Sequence, residues 1–176
     1  MNNNPDGIVR IKSGITILTY MQIIPVFSDH VVNIARFILE ASEKISSEEI
    51  SRAISLLLDV YRQKKKILVM GAGRSGLVGR AFAMRLLHLG YQVNVLGDTI
   101  VPPISKGDLV IAISGSGRTK LIVTAAEAAK TVGALILGIT SFPDSPLAQL
   151  CDAVIVVPGR TKVAREEDYF MRQILG

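Results

Sequence analysis

ILVMGAGRSG, residues 67–76, is a short apolar run that leads directly into a glycine-rich turn. An apolar run of this length before turn residues is typical of a strand buried on both faces. The turn has the spacing G-x-G-x-x-G, and the residues from Ser75 to Leu89, followed by Gly90, have the length of a crossover helix. The stretch therefore predicts a strand, a tight turn and a helix, the first unit of a parallel sheet.

Four further apolar runs follow at intervals. The strands predicted from them are Tyr91–Val95, Leu109–Ile113, Leu135–Ile139 and Val154–Val157. Helical segments cover 119–132 and 146–150, whereas 97–108 contains adjacent prolines and predicts a loop. This alternation predicts an α/β fold, a doubly wound three-layer sandwich with a five-stranded parallel sheet of the flavodoxin-like class. Ligands of such sheets bind beyond the C-terminal ends of the strands.

Two helices are expected before the sheet. Apolar residues recur at helical spacing after Ser28, a candidate N-cap, and again after Ser46, which forms a capping-box pattern with Glu49. The apolar residues 15–27 are too few to cross a bilayer, which requires about 20. We therefore expect a tail over 1–27 and a single domain over 28–176. Met1 and Met21 are both candidates for the start of the native chain.

The composition favours one globular domain. Of the 176 residues, 49% are hydrophobic and 20% charged, which argues against disorder. The lysines and arginines that give the net charge of +5 are scattered, so we expect neither nucleic acid nor a membrane as partner. We expect the positive charge to produce a field that attracts phosphorylated anions. Cys151 is the only cysteine, which excludes an internal disulfide and a cysteine metal cluster. It also favours a reducing compartment, and we expect the cytoplasm.

A second glycine loop, SGSGRT, lies where the third strand meets the next helix. Its three hydroxyls and its flexible backbone N–H groups converge on one helix N-terminus, which suits a phosphate monoester. The spacing of a Walker loop is absent, so a nucleoside triphosphate is not expected. The alternative is a helix cap without a ligand. The expected phosphate-binding residues are Ser114, Gly115, Ser116, Gly117 and Thr119.

Several motifs between about Ser28 and the end of the chain occur together. They are GAGRSG (71–76), AMRLLHLG (83–90), GDT (97–99), KGD (106–108), SGSGRT (114–119), ITSFPDSPLA (139–148) and PGRTK (158–162). In combination they resemble the archaeal and bacterial 6-phospho-3-hexuloisomerases of the sugar isomerase (SIS) family. The resemblance implies interconversion of 3-hexulose 6-phosphate and fructose 6-phosphate in the ribulose monophosphate pathway of formaldehyde assimilation. It also implies a homo-oligomer, usually a tetramer, with sites between subunits.

The resemblance also implies roles for residues. The serines and the threonine of SGSGRT match the family's phosphate-binding hydroxyls, and Gly73, Arg74 and Ser75 match the loop that faces the sugar. The reaction moves a carbonyl between adjacent carbons through an enediol, so it needs a base and a donor to the oxyanion, but no metal or cofactor. Arg74 is the candidate donor. The alternative for Arg74 is an exposed arginine at a helix start.

The base is harder to assign. The family's base is a glutamate in a segment resembling M-G-T-L-F-E, which is missing from these 176 residues, and we expect a fragment that lacks the last helix. Glu166 and Glu167 are the nearest acids, and their alternative is a solvated charged stretch. His88 matches the histidine of the family's M-R-L-x-H-L-G stretch, and histidine is a residue type that suits proton transfer at neutral pH. It lies at the far end of its helix, so only a neighbouring subunit would bring it to the glycine loops.

Three alternatives to this hexulose-phosphate isomerase remain open. The first is a non-catalytic SIS module that senses a sugar phosphate, and the second is another aldose-ketose phosphate isomerase. The third is a nicotinamide-dependent oxidoreductase, which would use the first glycine loop and an acidic residue about 20 residues later. Asp98 is the candidate acid, but it lies past the second strand. Comparing dinucleotide with fructose 6-phosphate as a stabilising ligand separates the third alternative from the others.

Overall fold

The computed structural model describes residues 20–159. The chain divides into two units, the first ending at Glu43 and the second beginning at Lys44. Within the described residues, the first unit consists of the long helix α1, Tyr20–Lys44, without its last residue. We describe the two units separately.

The second unit is a three-layer α/β sandwich. Its sheet has five parallel strands in the order β2-β1-β3-β4-β5. The predicted fold class and all five predicted strands are confirmed, with shifts of one or two residues at some ends. In chain order the elements are α2 (Ser47–Arg62), β1 (Lys66–Gly71), α3 (Arg74–His88), β2 (Gln92–Val95), β3 (Leu109–Ile113), α4 (Lys120–Thr131), β4 (Leu135–Thr140), α5 (Pro146–Leu150) and β5 (Ala153–Val156).

Alternating residues of each strand supply the two cores. Ile67 and Val69 of β1 pack into the core under α2 and α3, while Leu68 and Met70 pack into the core that α4 and α5 cover. All four of these side chains are buried. The continuous apolar run of β1 thus reflects burial on both faces of the sheet, as parallel strands require. Residues 97–108 cross between β2 and β3 without a helix, as predicted.

The start of α1 differs from the prediction, whereas the start of α2 agrees with it. α1 begins at Tyr20 and includes Pro25, so Ser28 lies inside the helix and its predicted N-cap role is wrong. Ser46 is the N-cap of α2, and its Oγ accepts hydrogen bonds from the N–H groups of Glu48 and Glu49. The Ser46 hydroxyl also donates to the Glu48 carboxylate, which lowers the pKa of Glu48.

The other half of the predicted capping box is absent. The Glu49 carboxylate accepts a hydrogen bond of 2.9 Å from the N–H of Val156 in β5, where a capping box requires it to reach back to the cap residue. β5 is an edge strand, so this N–H has no neighbouring strand to pair with. Glu49 therefore joins α2 to the free edge of the sheet.

The KGD motif stabilises the N-terminal edge of the sheet. The Asp108 side chain is buried, accepts hydrogen bonds from the N–H groups of Lys66 and Ser105, and pairs with the Lys66 ammonium at 3.4 Å. A buried carboxylate is tolerated when it is paired and hydrogen-bonded in this way. Asp108 therefore fixes the start of β1 and the end of the crossover loop, and its position is opposite to the strand ends at which ligands bind.

Three further observations concern the described residues, 20–159. None of their helices is long and apolar enough to cross a membrane. They contain no group of three or more histidine, cysteine or acidic side chains suited to holding a metal ion. Burial raises the pKa of the Cys151 thiol to about 11, so the thiol is protonated at neutral pH.

Candidate functional site

The helices that follow two neighbouring strands lie on opposite faces of the sheet. After β1 the chain enters α3 on one face, and after the adjacent β3 it enters α4 on the other. A crevice opens at such a switch point, outside the C-terminal ends of the strands, and it is the usual ligand site in this topology. Both glycine loops predicted from the sequence flank this crevice.

In the first loop, the backbone at the end of β1 packs closely against the backbone at the start of α3. A Cβ atom on Gly71 would lie 2.8 Å from the carbonyl carbon of Ser75, and one on Gly76 would lie 2.8 Å from the carbonyl oxygen of Gly71. Gly73 has φ of +57°, and a Cβ there would meet no other atom within 4 Å. The outer glycines therefore allow the close packing of β1 on α3, whereas Gly73 turns the chain and leaves open space for a ligand.

The second loop gathers its hydroxyls before α4. Ser114 is 2% exposed, and its Oγ lies 3.1 Å from Oγ1 of Thr119, the N-cap residue of α4. The Ser116 Oγ accepts a hydrogen bond from the N–H of Arg118. Thr119 makes no side-chain capping bond to the helix, so the first N–H groups of α4 keep their capacity to bind an anion.

The end of β4 supports the second loop. Thr140 is 1% exposed, and its hydroxyl donates to the carbonyl of Gly115, which also accepts from the N–H of Ser141. The carbonyl of Gly117 accepts from the N–H of Leu147 in α5. These bonds fix the loop in one conformation.

A buried serine completes the support of this loop. The Ser145 Oγ caps α5 by accepting from the N–H of Ala148, and it lies directly against Gly117. Neither Thr140 nor Ser145 was predicted to have a role from the sequence. Their motif, ITSFPDSPLA, was the available signal, because it begins at the strand end next to the loop.

Arg74 begins α3 beside Gly73. Its side chain is exposed and makes no hydrogen bond or ion pair with another residue that the structure describes. The guanidinium is therefore available to a ligand above the crevice. Ser75, the next residue of the helix, is half-buried.

Asp98, the acid that a dinucleotide site would use, is already engaged. Its Oδ1 lies 2.6 Å from Nη1 of Arg80 on α3, in an ion pair whose side chains are both about half exposed. The structure thus pairs Asp98 with Arg80 at the position where the oxidoreductase hypothesis requires an acid.

The structure does not bring His88 close to Arg74 within one chain. His88 is exposed in the last turn of α3. At 1.5 Å per residue, it lies about 20 Å along the helix from Arg74. Glu166 and Glu167 lie outside the described residues.

Most of the second unit matches a known protein family. The model of the SIS domain matches residues 60–167, which include both glycine loops and all five strands of the sheet. The chain belongs to the SIS-domain family. The resemblance inferred from the motifs is therefore confirmed, and the crevice described above lies within the SIS domain.

Relatives of this SIS domain include named isomerases. An uncharacterized protein of Aeropyrum pernix is 60% identical over 152 residues, which are 86% of this chain and 71% of that protein. The 3-hexulose-6-phosphate isomerase of Mycobacterium gastri is 46% identical over 125 residues, which are 71% of this chain and 61% of that enzyme.

A solved structure is also similar to this chain. A Methanococcus jannaschii protein, for which a function as 3-hexulose-6-phosphate isomerase has been inferred, is 34% identical. The match covers 68% of this chain and 76% of that one, with a TM-score of 0.52.

Proposed function

We propose that this SIS domain is a phosphosugar isomerase that interconverts 3-hexulose 6-phosphate and fructose 6-phosphate. The observation that carries the proposal is the second glycine loop. It presents hydroxyls and free N–H groups at the start of α4, in a chain related to named 3-hexulose-6-phosphate isomerases. We place the reaction in the cytoplasm and in the ribulose monophosphate pathway, where formaldehyde assimilation produces the hexulose phosphate.

The phosphate group occupies the second loop in this account. Ser114, Ser116 and Thr119 donate their hydroxyls, and Gly115 and Gly117 let the backbone approach the anion. The N-terminus of α4 adds the favourable end of the helix dipole. The sugar then extends toward the first loop, where Gly73 leaves space and Ser75 faces it.

The chemistry is a carbonyl shift between C2 and C3. A base removes the proton from C2 of the 3-hexulose phosphate, the C3 carbonyl oxygen gains negative charge, and a 2,3-enediol forms. Return of a proton to C3, with loss of the hydroxyl proton at O2, gives the ketone of fructose 6-phosphate. Arg74 stabilises the oxyanion through its free guanidinium. His88, Glu166 and Glu167 are the candidate bases.

His88 requires a second copy of the chain. The exposed side of α3 carries Leu77, Val78, Met84 and Leu87, each more than half exposed. Ala81 is also exposed and lies midway along this helix. If two copies of α3 pack antiparallel about Ala81, the His88 end of one helix meets the Arg74 end of the other. This arrangement supports a homo-oligomer with shared sites, and we propose a tetramer.

Loss of one loop hydroxyl tests the phosphate site. Ser116→Ala is expected to weaken binding of fructose 6-phosphate by about 10- to 100-fold, the value of one hydrogen bond to a charged group. Isothermal titration measures the dissociation constant. The matched control, Ser51→Ala on α2, should bind as tightly as the unmodified chain. Unchanged affinity in Ser116→Ala would remove this loop from the site.

A SIS module that only senses a sugar phosphate is the second candidate function. It is favoured by the separation of His88 from the glycine loops within one chain. Such a module would bind fructose 6-phosphate in the same loop and would not convert it. Binding and turnover, measured on the same preparation, therefore separate the two functions.

A further inference from the structure

The crossover loop, residues 97–108, leaves the sheet beside the first glycine loop. Val69 of β1 is level with Val95 of β2, and the N–H of Leu96 donates to the carbonyl of Val69 at 2.9 Å. The chain beyond Leu96 therefore continues beside the end of β1, at the usual strand separation of about 4.8 Å. This register places the start of the crossover loop next to Gly71, the first residue of the GAGRSG turn.

An ion pair ties the start of the crossover loop to α3. Nη1 of Arg80 donates to Oδ1 of Asp98 at 2.6 Å, and the N–H of Asp98 donates to the carbonyl of Val95. Arg80 lies on the helix that begins at Arg74, directly after the first glycine loop. The pair therefore links the loop after β2 to the helix that carries the candidate oxyanion donor.

Two exposed residues, Thr99 and Ile100, follow this ion pair, and Ile100 is 88% exposed. Beyond them the loop is held again. Val101 packs against the core that α4 and α5 cover, and the carbonyl of Pro103 accepts a hydrogen bond from the Lys66 ammonium. The Thr99 hydroxyl makes no hydrogen bond with another residue that the structure describes. It is therefore held between two anchored points with its hydrogen-bonding capacity free.

Three loops lie in a row at the ligand-binding end of the sheet. The strand order β2-β1-β3 places the crossover loop at one end, the first glycine loop in the middle and the second glycine loop at the other end. Two strand separations span about 10 Å, which is comparable with the length of an open-chain hexose phosphate. A sugar whose phosphate lies in the second loop therefore reaches the start of the crossover loop with its far end.

The exposure of the ion pair argues for a role in positioning. The Arg80 and Asp98 side chains are 50% and 42% exposed, and an ion pair exposed to this extent contributes little to stability. It is the only hydrogen bond that joins the crossover loop to α3 among the residues that the structure describes. Its removal is therefore expected to shift the loop and to leave the fold intact.

We propose that Arg80 and Asp98 are positioning residues, which hold the Thr99 hydroxyl against the sugar of the bound phosphosugar. The inference rests on the proposed function, in which the second loop binds the phosphate. Thr99 is the first residue beyond the ion pair, and its hydroxyl can both donate to and accept from a sugar hydroxyl. Thr99 therefore recognises the sugar end of the substrate and makes no contribution to phosphate binding.

Loss of the charge on Asp98 tests the positioning role. Asp98→Asn is expected to lower kcat for 3-hexulose 6-phosphate by about 10-fold or more, because small displacements of positioning groups reduce rates strongly. The dissociation constant for inorganic phosphate should not change, since the second loop is untouched. The matched control is Asp59→Asn, which removes an exposed ion pair with Arg62 on α2 and should keep the normal kcat. Urea unfolding verifies that both variants keep their stability.

A charge swap tests whether Asp98 acts through Arg80. Asp98→Arg places two guanidinium groups together and should lower kcat further than Asp98→Asn. The double variant Arg80→Asp/Asp98→Arg restores an ion pair of reversed polarity and is expected to recover most of the lost activity. A loss in Asp98→Asn that the double variant does not recover would show that Asp98 acts without Arg80, and would overturn the proposal.

Removal of the Thr99 hydroxyl tests the contact with the sugar. Thr99→Val keeps the shape of the side chain and is expected to weaken binding of fructose 6-phosphate by about 3- to 10-fold, the value of one neutral hydrogen bond. Binding of inorganic phosphate should be unchanged. Thr124→Val removes an exposed hydroxyl from α4 and is the matched control. Equal affinity for fructose 6-phosphate in Thr99→Val and the unmodified chain would overturn the contact.

The two ligands separate this inference from the proposed function. The ratio of the dissociation constants for inorganic phosphate and fructose 6-phosphate measures recognition of the sugar without any turnover. If the unmodified chain binds fructose 6-phosphate but does not convert it, the isomerase proposal fails, and a ratio that falls in Thr99→Val and Asp98→Asn still supports the inference. A ratio that is the same in all three proteins would overturn the inference and leave the isomerase proposal standing.

Discussion

Gly117→Ala is expected to destabilise the domain by about 3 kcal/mol or more and to abolish binding of fructose 6-phosphate. Gly117 has φ of +60°, and a Cβ there would lie 2.0 Å from Oγ of Ser145 and 2.9 Å from Oγ1 of Thr140. Ser145 caps α5 and Thr140 holds the carbonyl of Gly115, so neither can move without losing a bond. The cost therefore combines backbone strain, a clash and loss of the loop conformation.

Gly97→Ala is the matched control for this experiment. Gly97 also has positive φ, of +94°, but a Cβ there would meet no other atom within 4 Å. It should show only the backbone cost of about 1 kcal/mol and should still bind fructose 6-phosphate. Urea unfolding gives the free energies of unfolding, and titration gives the affinities. Equal stability and equal binding in the two variants would contradict the structure of the second loop.

Arg74→Ala and His88→Ala are each expected to lower kcat by about 100-fold or more while leaving the fold intact. The decisive result is expected when the two variants are combined. If His88 acts in the site of the other copy, a mixed dimer contains one site with both residues and one with neither. Oligomers that contain both variants, co-expressed with two different affinity tags, should then regain about half of the normal activity.

The control for this experiment is a mixture of Arg74→Ala with the double variant Arg74→Ala/His88→Ala. Every site in that mixture lacks Arg74, so no activity should return. Failure of the two single variants to complement each other would show that His88 does not act across subunits. Full activity of His88→Ala alone would remove His88 from the mechanism.

Local patterns in the sequence predicted most of the fold. β1 and the first glycine loop were predictable because both signals, the apolar run and the G-x-G-x-x-G spacing, lie within ten adjacent residues. The N-cap of α2 was predictable for the same reason, since Ser46 bonds to N–H groups two and three residues away. The start of α1 was not, because the helix continues through Pro25, which removes only one of its hydrogen bonds.

Contacts between distant residues account for what the sequence analysis missed. Glu49 pairs with Val156, 107 residues away, because α2 packs against the edge strand β5. Thr140 contacts the loop after β3 because β3 and β4 are neighbours in the sheet. A local capping pattern competed with the first contact, and the available signal for the second was the motif ITSFPDSPLA, which does not show that Thr140 reaches the loop. The candidate phosphate loop was therefore predictable in position, and its supporting residues were not.

The most direct test of the central proposal is a coupled assay on the 176-residue chain. Ribulose 5-phosphate, formaldehyde and a hexulose-phosphate synthase supply the substrate, and a downstream enzyme detects fructose 6-phosphate. The Ser116→Ala variant provides the internal comparison, with reduced turnover expected at low substrate concentration. We predict that fructose 6-phosphate forms at an enzymatic rate and only when the chain is present. Tight binding of fructose 6-phosphate with no turnover would contradict this prediction and would show that the phosphate site is intact but the base is missing, as in a fragment or a sugar-phosphate sensor.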